Sequence, residues 1–517
     1  MSKLSSTPAT KIAETKDAPA ATPTTASEIK TSANYGLVSD KLLKSAAATD
    51  EADIEKMLMA LEQASTLPGV TDHKHGLYFI DGLLKRIDEQ VNSQLNQVMH
   101  APEFLKLEGT WRGLNRLLKE TDTNKTLWVE MFNASKDELQ QDFLDMGDYT
   151  KSALWNKIYE NRYDLNGGKP YGAFVSGYEF SNLNSDVDML ESIAGIGGAA
   201  QAPFILSASP KLLGIDSFEK LKNLDGLKNR FNAAEYTKWN ALRKNPDSRF
   251  LAMTMPRVLA RVPYGSKTRV ADGLPTFEEA PMHERSNKLA KMDNKDLCWS
   301  SSAYSFGNVL TKAFRQTNWC TAIVGESRNR INGGTVSDLP LYQYYNEADN
   351  LVTTIPTETV ITGKNEYALA ELGLLPLSYE SGSTRGVFVG GKTMFEPSGL
   401  LDSTRFKNEF VASVLANVLP AARISHYVKR IGRKFHGQFS SPKQLKKLMN
   451  DWLSNFKTDE SADEVGKTSH PLSNYTVDVE EGARPGDLEV KLTLKFWDMI
   501  YQINADVEMV AKLPSQT

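Results

Sequence analysis

A glycine-rich run is the part of this sequence whose residue types and spacing come nearest to cofactor chemistry. Gly195-Ile-Gly197-Gly-Ala-Ala200 satisfies the pattern GxGxxA, in which glycines let the backbone approach the phosphates of a dinucleotide. Such a turn must follow a strand and open a helix, whereas the preceding residues DVDMLESIA have a helical pattern. We therefore interpret the glycines as small residues that permit close packing at a helix end. A nucleotide-dependent oxidoreductase is kept only as an alternative.

Two carboxylates, Asp186 and Asp188, have the spacing of a possible metal pair. They follow Ser185, which we expect to cap a helix, and the dipole of a helix favours carboxylates in its first turn. Capping therefore explains them better than metal binding. The seven histidines form neither an HExxH motif nor a zinc-like spacing with cysteine.

The cysteines and the remaining motifs also predict no chemistry. Cys298 and Cys320 form no CxxC pattern, so we expect two inert thiols rather than a disulfide or a zinc site. Neither a GxSxG elbow nor a Walker A loop occurs. The sequence therefore predicts a protein that is not an enzyme, with no catalytic, cofactor-binding or metal-binding residues.

Length and composition are those of a globular protein with several domains. The chain has 517 residues, 40% of them apolar, and a formal net charge of −4. This charge does not favour nucleic acid or an anionic membrane surface. No stretch approaches the roughly 20 apolar residues of a membrane helix, and no apolar region of a signal peptide follows Lys3 and Lys11. We expect a cytoplasmic location and no membrane insertion.

The fold class predicted from the periodicities is α/β, with mixed α+β character. Residues 1–34 are rich in Ala, Thr, Ser and Pro and predict a disordered tail, followed by tethered helices at 35–76. Apolar residues at intervals of three and four predict helices over 77–125. One helix extends from Leu77 to His100, and the next carries FLKLEGTWRGL with Phe104, Leu107, Trp111 and Leu114 on one face.

Residues 126–400 alternate between strand and helix patterns, which favours one or more α/β domains with a mixed sheet. A capping box at Ser135–Glu138 should open a helix that reaches Leu144. The predicted strands are Leu127–Phe132, Ala173–Phe180, Pro203–Ser207, Phe250–Met253, Thr321–Val324, Thr359–Thr362 and Gly386–Val389.

Residues 401–517 begin with helices up to Phe456 and end with strands. From Tyr475 onward the apolar residues alternate with polar ones in three runs, which predicts a small β-meander. The edges of such a meander present unpaired backbone groups that can accept further strands.

Basic side chains are concentrated between Arg423 and Lys447. A nucleic-acid scaffold is one alternative for this segment, but it has neither a recognisable module nor interleaved stacking aromatics. A solvated helix face and a contact with an acidic protein surface both remain open.

Several long blocks of the sequence, in the same order, resemble the large sheath subunit of type VI secretion systems, the TssC/VipB family. The closest blocks are LNQVMHAPEFLKLEGTWRGL (95–114), GGKPYGAFVSGYEF (167–180), APFILSASPKLLGIDSF (202–218) and SRFLAMTMPRVLARVPYG (248–265). Looser blocks are WCTAIVGE (319–326), PTETVIT (356–362) and RISHYVKR (423–430). The resemblance extends from about residue 77 to the C-terminus. A sheath protein of another phage-tail-like contractile machine is the alternative.

The resemblance implies a structural protein in the bacterial cytoplasm. It would pair with a small sheath subunit of the TssB/VipA family, polymerise around an inner tube of the Hcp family, and contract to propel that tube. Further implied partners are neighbouring copies of the heterodimer, the baseplate and an AAA+ recycling unfoldase.

The resemblance also suggests roles for particular residues. Those proposed to pack on the small subunit are Ile80, Leu84, Ile87, Val91, Leu95 and Trp111. Those proposed to pair with a neighbour's strand are Tyr475, Val477, Val479, Leu488, Val490, Leu492 and Leu494. Those proposed to contact the inner tube are Lys429, Arg430, Arg433 and Lys434. Those proposed for the helix that a recycling factor engages are Leu37, Leu42 and Leu43.

Overall fold

The structure, a computed structural model, describes residues 73–517 with several gaps. The gaps are residues 125, 166, 224–225, 284–285, 287, 327–332, 400–402, 435–441, 482–487, 498–506 and 514–517. The predicted tail at 1–34 and the proposed recycling residues Leu37, Leu42 and Leu43 lie outside the described residues. The chain divides into two units, residues 1–89 and 90–517.

The described residues contain eleven α-helices of six or more residues, numbered in chain order. They are α1 (His73–Met99), α2 (Pro102–Glu120), α3 (Lys136–Met146), α4 (Asn184–Ala200), α5 (Thr237–Lys244), α6 (Ser302–Thr317), α7 (Gly363–Glu371), α8 (Thr404–Ala412), α9 (Leu415–Lys434), α10 (Pro442–Leu453) and α11 (Glu464–Ser469). The predicted capping box is confirmed, because the Ser135 hydroxyl accepts from the Glu138 amide and the Glu138 carboxylate accepts from the Ser135 amide. A π-helix, Asn156–Asp164, and several 3₁₀ turns lie between the longer helices.

The described strands are also numbered in chain order. They are β1 (Phe174–Phe180), β2 (Phe204–Ala208), β3 (Leu251–Met255), β4 (Val258–Leu259), β5 (Trp299–Ser300), β6 (Thr335–Val336), β7 (Gln343–Tyr345), β8 (Leu351–Thr353), β9 (Leu374–Tyr379), β10 (Gly386–Phe388), β11 (Leu472–Glu481), β12 (Leu488–Phe496) and β13 (Val507–Leu513).

A six-stranded mixed sheet with the order β1-β2-β3-β9-β10-β6 forms the centre of the larger unit. The first four strands are parallel, and β10 is antiparallel to both of its neighbours. Alternate residues of β2 point into two different clusters, since Phe204 and Leu206 join one core and Ile205 joins the other. The sheet is therefore covered on both faces, as expected for a largely parallel sheet. The predicted α/β fold with mixed character is confirmed.

The C-terminal region contains α8 to α11 and an antiparallel meander with the order β11-β12-β13. Leu445 and Met449 of α10 pack with Val477 and Leu492 of the meander in one buried cluster. The predicted change from helical to alternating periodicity is confirmed, because the inward residues of β11 and β12 recur at every second position.

Three strand predictions in the central region are wrong. Residues Leu127–Phe132, Thr321–Val324 and Thr359–Thr362 form no strand in the described chain. Each segment has a suitable local pattern, but a strand also requires a hydrogen-bonded neighbour, which pattern alone does not supply.

The predicted cap at Ser185 is also wrong. Helix α4 begins at Asn184 after Leu183, and no side chain caps it. Asp186 instead accepts hydrogen bonds from the amide and hydroxyl of Ser181, both at 2.7 Å. The carboxylate therefore holds the loop before the helix rather than the helix end itself.

Candidate interaction surfaces

The glycine-rich run lies inside a helix, as its sequence context indicated. Gly195 and Gly197 belong to α4, and a side chain at Gly195 would come within 2.6 Å of the Tyr149 ring. At Gly197 a side chain would come within 3.0 Å of Phe250. The interpretation that these glycines permit close packing is confirmed. Within the described residues, no group of three or more His, Cys, Asp or Glu side chains could hold a metal ion.

Both cysteines are free thiols. Burial raises the pKa of each, to about 12 for Cys298 and to about 12 for Cys320. A thiol must ionise to act as a nucleophile, so a raised pKa disfavours the reactive form of both cysteines. The prediction that they form no disulfide is confirmed, and the prediction that they are inert stays a prediction.

Helix α2 turns its glycines inward and its largest apolar side chains outward. A side chain at Gly109 would meet the Trp299 carbonyl oxygen at 2.0 Å, and one at Gly113 would meet the Ser300 hydroxyl at 2.2 Å. On the opposite side, Leu107 and Trp111 are 56% and 55% exposed. The stripe of FLKLEGTWRGL is therefore not part of this chain's core, and it forms an apolar surface open to a partner.

Helix α1 carries a second apolar stripe. Leu84, Ile87 and Val91 are exposed, and Leu95 is half-buried in the same helix. Ile80 lies in this helix too. No helix in the described part of the chain is long and apolar enough to cross a bilayer. The proposed packing of these residues on a small subunit stays a prediction, and the exposure of Leu84, Ile87 and Val91 leaves those three available for it.

A buried charge network fixes the orientation of α2. The Glu108 carboxylate accepts from Arg112, four residues further along the same helix, at 2.7 Å. It also accepts from Arg261, which donates in turn to Glu279 at 2.6 Å. Burial works to raise the pKa of Glu108, but hydrogen bonds from Arg261 and Arg112 outweigh it and the pKa is lowered. Sequence reasoning missed Arg261 and Glu279, because nothing local links residues 153 positions apart.

Among the described strands, the outer edges of β11 and β13 have no partner strand, and the outer edge of β11 is bridged only at Leu472, by Lys457. Leu488, Val490, Leu492 and Leu494 lie in β12, which pairs with β11 on one side and β13 on the other. The backbone groups of β12 are thus already used within the chain. Of the proposed pairing residues, Tyr475, Val477 and Val479 belong to the edge strand β11. A neighbour's strand would have to pair with β11 or β13.

The basic segment of α9 is largely engaged within the chain. Lys429 and Arg433 both form ion pairs with Asp164, at 2.9 and 2.6 Å. The pKa of Asp164 is held below its usual value mainly by the hydrogen bond from Lys429, and further by Arg433. Arg430 is exposed, and Lys434 ends the helix. The proposed contact with an inner tube stays a prediction.

A groove of about 2080 Å³ opens beside the central sheet. It is lined by strand β1, by residues 126–137, and by faces of α2, α6 and α9. Trp111 and the exposed side chains Trp128, Met131 and Phe132 lie along it. Sequence reasoning missed this groove, and its one trace in the sequence was the strand-like pattern at Leu127–Phe132.

Exposed apolar stripes on two helices, unpaired sheet edges and a wide groove are the features of a subunit of a larger protein assembly. Comparison with known proteins gives that assembly a name. Residues 81–395 match the family model VipB, described as EvpB/VC_A0108, tail sheath N-terminal domain. Residues 404–513 match a second model, described as EvpB/VC_A0108, tail sheath gpW/gp25-like domain.

A curated relative agrees with both matches. The type VI secretion system sheath protein TssC1 of Pseudomonas aeruginosa PAO1 is 32% identical over 461 residues, covering 88% of this chain and 89% of the relative. The chain therefore belongs to the TssC/VipB family, the large subunits of the type VI secretion sheath.

Proposed function

We propose that this chain pairs with a small sheath subunit, polymerises around an inner tube and contracts to drive that tube outward. The exposed stripe of α2 is the observation that carries the pairing. Its glycine face is fixed against this chain, while Leu107 and Trp111 remain 56% and 55% exposed on the other side. Obligate interfaces commonly bury about 2,000–5,000 Å², and the stripe together with the groove beside it would form part of such an interface.

Polymerisation would use the meander. Strand β11 and strand β13 each have one edge without a partner strand among the described strands. A neighbour's strand added there gains main-chain hydrogen bonds that depend little on side chains. Such links stay paired while the bodies they join rotate, which a contracting lattice requires.

Contraction needs no chemistry in this chain. A subunit interface with two stable packings can store energy at assembly and release it later. If each subunit gained about 2 kcal/mol on switching, hundreds of subunits would supply far more work than one ATP. We accordingly propose a structural protein of the bacterial cytoplasm rather than an enzyme.

The other proposed partners concern smaller regions. Arg430 with its neighbours on α9 would face the inner tube, a protein of the Hcp family. Leu37, Leu42 and Leu43 would be engaged by an AAA+ unfoldase that recycles contracted sheath. One end of the polymer would meet the baseplate.

Co-expression tests this function directly. The full chain is produced with the small sheath subunit of the same secretion system, and the lysate is viewed by negative-stain microscopy. We expect long hollow tubules that contain both proteins, and none when either protein is produced alone. If the two proteins neither co-purify nor form tubules, the proposed function is wrong.

A further inference from the structure

Helix α3 has an outer face that this chain does not cover. Leu144 is 65% exposed and Met146 is 45% exposed, both in the last turn of the helix. On the opposite side, Leu139 and Phe143 pack into a buried core cluster. The inward apolar face of the helix is therefore satisfied within the chain, whereas the outward apolar pair has no cover.

The same helix and the turn after it are strongly acidic. The lysine of the helix, Lys136, is already bound to Asp186. Like charges close together on a helix repel one another, so such a face favours a cationic partner. The carboxylates that form no ion pair with a described residue are Asp137, Glu138, Asp142, Asp145 and Asp148.

The loop at residues 265–274 has the opposite character. Lys267 and Arg269 are both exposed, and neither forms an ion pair with a described residue. Val270 and Leu274 are 51% and 42% exposed beside them. Asp272 is the one carboxylate of the loop, so the loop keeps a net positive charge. The loop thus combines cations with an exposed apolar pair, as α3 combines carboxylates with one.

Backbone hydrogen bonds hold the 265–274 loop in one shape. The Gly265 amide donates to the Arg269 carbonyl at 2.9 Å, and the Thr268 amide donates to the Gly265 carbonyl at 3.2 Å. The Leu274 amide donates to the Ala271 carbonyl at 3.1 Å. A loop that is already ordered loses little conformational entropy when a partner binds it.

The helix and the loop belong to different parts of the fold. Phe143 of α3 lies in the cluster on one face of the central sheet. Ala280 and Leu289, which follow the loop, lie in a separate cluster with Leu259 of β4. One copy of the chain therefore carries both halves of a complementary pair at separate places. A contact between unlike surfaces of two copies can repeat from copy to copy and build an open helical polymer.

We propose that the outer face of α3 in one copy of this chain docks on the 265–274 loop of a neighbouring copy. The apolar pair of the helix packs on Val270 and Leu274, and its carboxylates pair with Lys267 and Arg269. This inference rests on the proposed function. It adds a direct contact between large subunits to the strand links of the meander.

The contact is small and is effective only within the polymer. Ion pairs in solvent contribute little individually, so two free copies would not associate through it. Neighbours that strand pairing already holds together present the two surfaces to each other at an effective concentration in the millimolar range. A weak contact of complementary charge then fixes the register of neighbouring copies, and it can break and form again when they rotate.

Cysteine cross-linking tests the contact. One full-length population carries Asp145→Cys and a second carries Lys267→Cys, and both are co-produced with the small subunit so that mixed tubules form. A short bismaleimide is then added to the tubules. Burial raises the pKa of the native thiols Cys298 and Cys320 to about 12, and wild-type tubules measure their background reaction.

Mixed tubules should give dimers of the large subunit on denaturing gels, at least tenfold above the wild-type background. Tubules of either variant alone should stay at that background, because each contact then contains a single introduced thiol. Dimers from Asp145→Cys alone would mean that α3 meets α3, which overturns the proposal. Mixed tubules without dimers would overturn it too.

A charge swap tests the chemistry of the pair. Asp145→Lys with Asp148→Lys should lower the yield of sedimented tubules at least fivefold, and so should Lys267→Glu with Arg269→Glu. The four substitutions together should restore the yield to within twofold of wild type. A swap that restores nothing would remove the ion pairs from the contact.

The matched control for the swap reverses two exposed lysines outside both surfaces. Lys244→Glu with Lys291→Glu changes the net charge of the chain as much as the loop variant does, and neither lysine forms an ion pair with a described residue. Tubule yield should stay at the wild-type level. An equal loss in this control would show that net charge, and not this contact, governs the yield.

Recovery of the heterodimer separates this inference from the proposed function. Every charge variant should still co-purify with the small subunit, because the contact joins one large subunit to another. If wild-type tubules form and the cross-link and the swap both fail, the contact is wrong and the sheath function stands. If the wild-type chain forms neither heterodimer nor tubules, the proposed function itself fails.

Discussion

The Glu108 carboxylate accepts two hydrogen bonds from the Arg261 guanidinium, at 2.6 and 3.0 Å, across 153 residues of sequence. The same guanidinium donates to both oxygens of Glu279, at 2.6 and 2.9 Å. The Arg261 side chain is 3% exposed and that of Glu279 is 1% exposed. Arg261 and Arg112 together balance the two carboxylates, and Arg261 joins α2 to the segment that follows β4.

Replacing Arg261 should destabilise the chain strongly. Arg261→Met leaves Glu279 buried without its guanidinium partner and leaves Glu108 with Arg112 alone, a loss of about 3–5 kcal/mol for a broken buried pair. We expect a large fall in the midpoint of urea unfolding of the full-length chain, followed by tryptophan fluorescence.

The matched control for Arg261 is an exposed arginine. Arg405→Met breaks the ion pair with Glu409 on α8, where the arginine side chain is 76% exposed, and such pairs contribute about 0.5 kcal/mol. Equal effects of the two substitutions would show that the buried network does not hold α2.

Stability should fall between neutral and mildly acidic pH because of His426. Its ring donates to the Ala200 carbonyl at 2.9 Å, and burial lowers its pKa to about 4. Between about pH 6.5 and pH 4 this histidine is protonated in the unfolded chain but neutral in the folded chain. Its contribution to the free energy of unfolding is therefore lost as the pH falls through this range. The slope is at most about 1.4 kcal/mol per pH unit.

A glutamine at this position isolates the effect. His426→Gln keeps a donor for Ala200 but has no titrating group, so its urea midpoint should change less than the wild type's between pH 7 and pH 5. Parallel pH profiles of the two proteins would count against a buried neutral histidine.

The two faces of α2 should respond differently to substitution. Gly109→Val places atoms where a side chain already meets the Trp299 carbonyl at 2.0 Å, so we expect a loss of about 3 kcal/mol or more. Trp111→Ser removes a 55% exposed side chain and should change stability by about 0.5 kcal/mol or less. Urea unfolding measures both.

The same tryptophan variant should fail in assembly. If Trp111 is an anchor of the small-subunit interface, recovery of the heterodimer falls at least tenfold, as at an interface hot spot. Leu351→Ser, an exposed apolar residue of β8, is the control. Normal pairing of Trp111→Ser would remove the α2 stripe from the interface.

The meander should link neighbouring subunits through an edge strand and not through its central strand, β12. Thr476 and Val477 are consecutive in β11, so one amide points to β12 and the other to the free edge. Thr476→Pro and Val477→Pro are each compared with alanine at the same position, because the Val477 side chain is buried, and relative to alanine we expect one of them to lower the urea midpoint. The other should keep it and abolish tubules in negative stain.

Proline substitutions in β12 cannot separate loss of folding from loss of subunit linkage, because Leu492 is paired with a strand on both sides. If both β11 variants still form tubules, the edge that neighbours use is not that of β11.

Helix α2 illustrates what an amphipathic pattern leaves open. The spacing of Leu107, Trp111 and Leu114 predicted a helix with an apolar face, and the helix is present. The pattern does not say whether that face packs inward, because any partner surface satisfies it equally. The glycines at 109 and 113 pack against β5 and α6, and that contact turned the apolar face outward.

The segment Leu127–Phe132 shows the same limit for strands. Its pattern indicates an extended chain, and the structure has no strand there. A strand forms only with a hydrogen-bonded neighbour, and no described segment of this chain supplies one. The three strands of the meander were predictable because their partners follow one another in sequence.

The sequence by itself determined the α/β class, the capping box at Ser135, the meander, the absence of a disulfide between the two cysteines and the family. These depend on local periodicity, on short-range hydrogen bonds and on long blocks of resemblance. Tertiary structure alone decided that Glu108 meets Arg261, that Trp111 faces outward, and that β1 ends a sheet beside a groove. Such contacts join residues that are far apart in the chain, and the local sequence pattern around a residue does not indicate which distant residue it contacts.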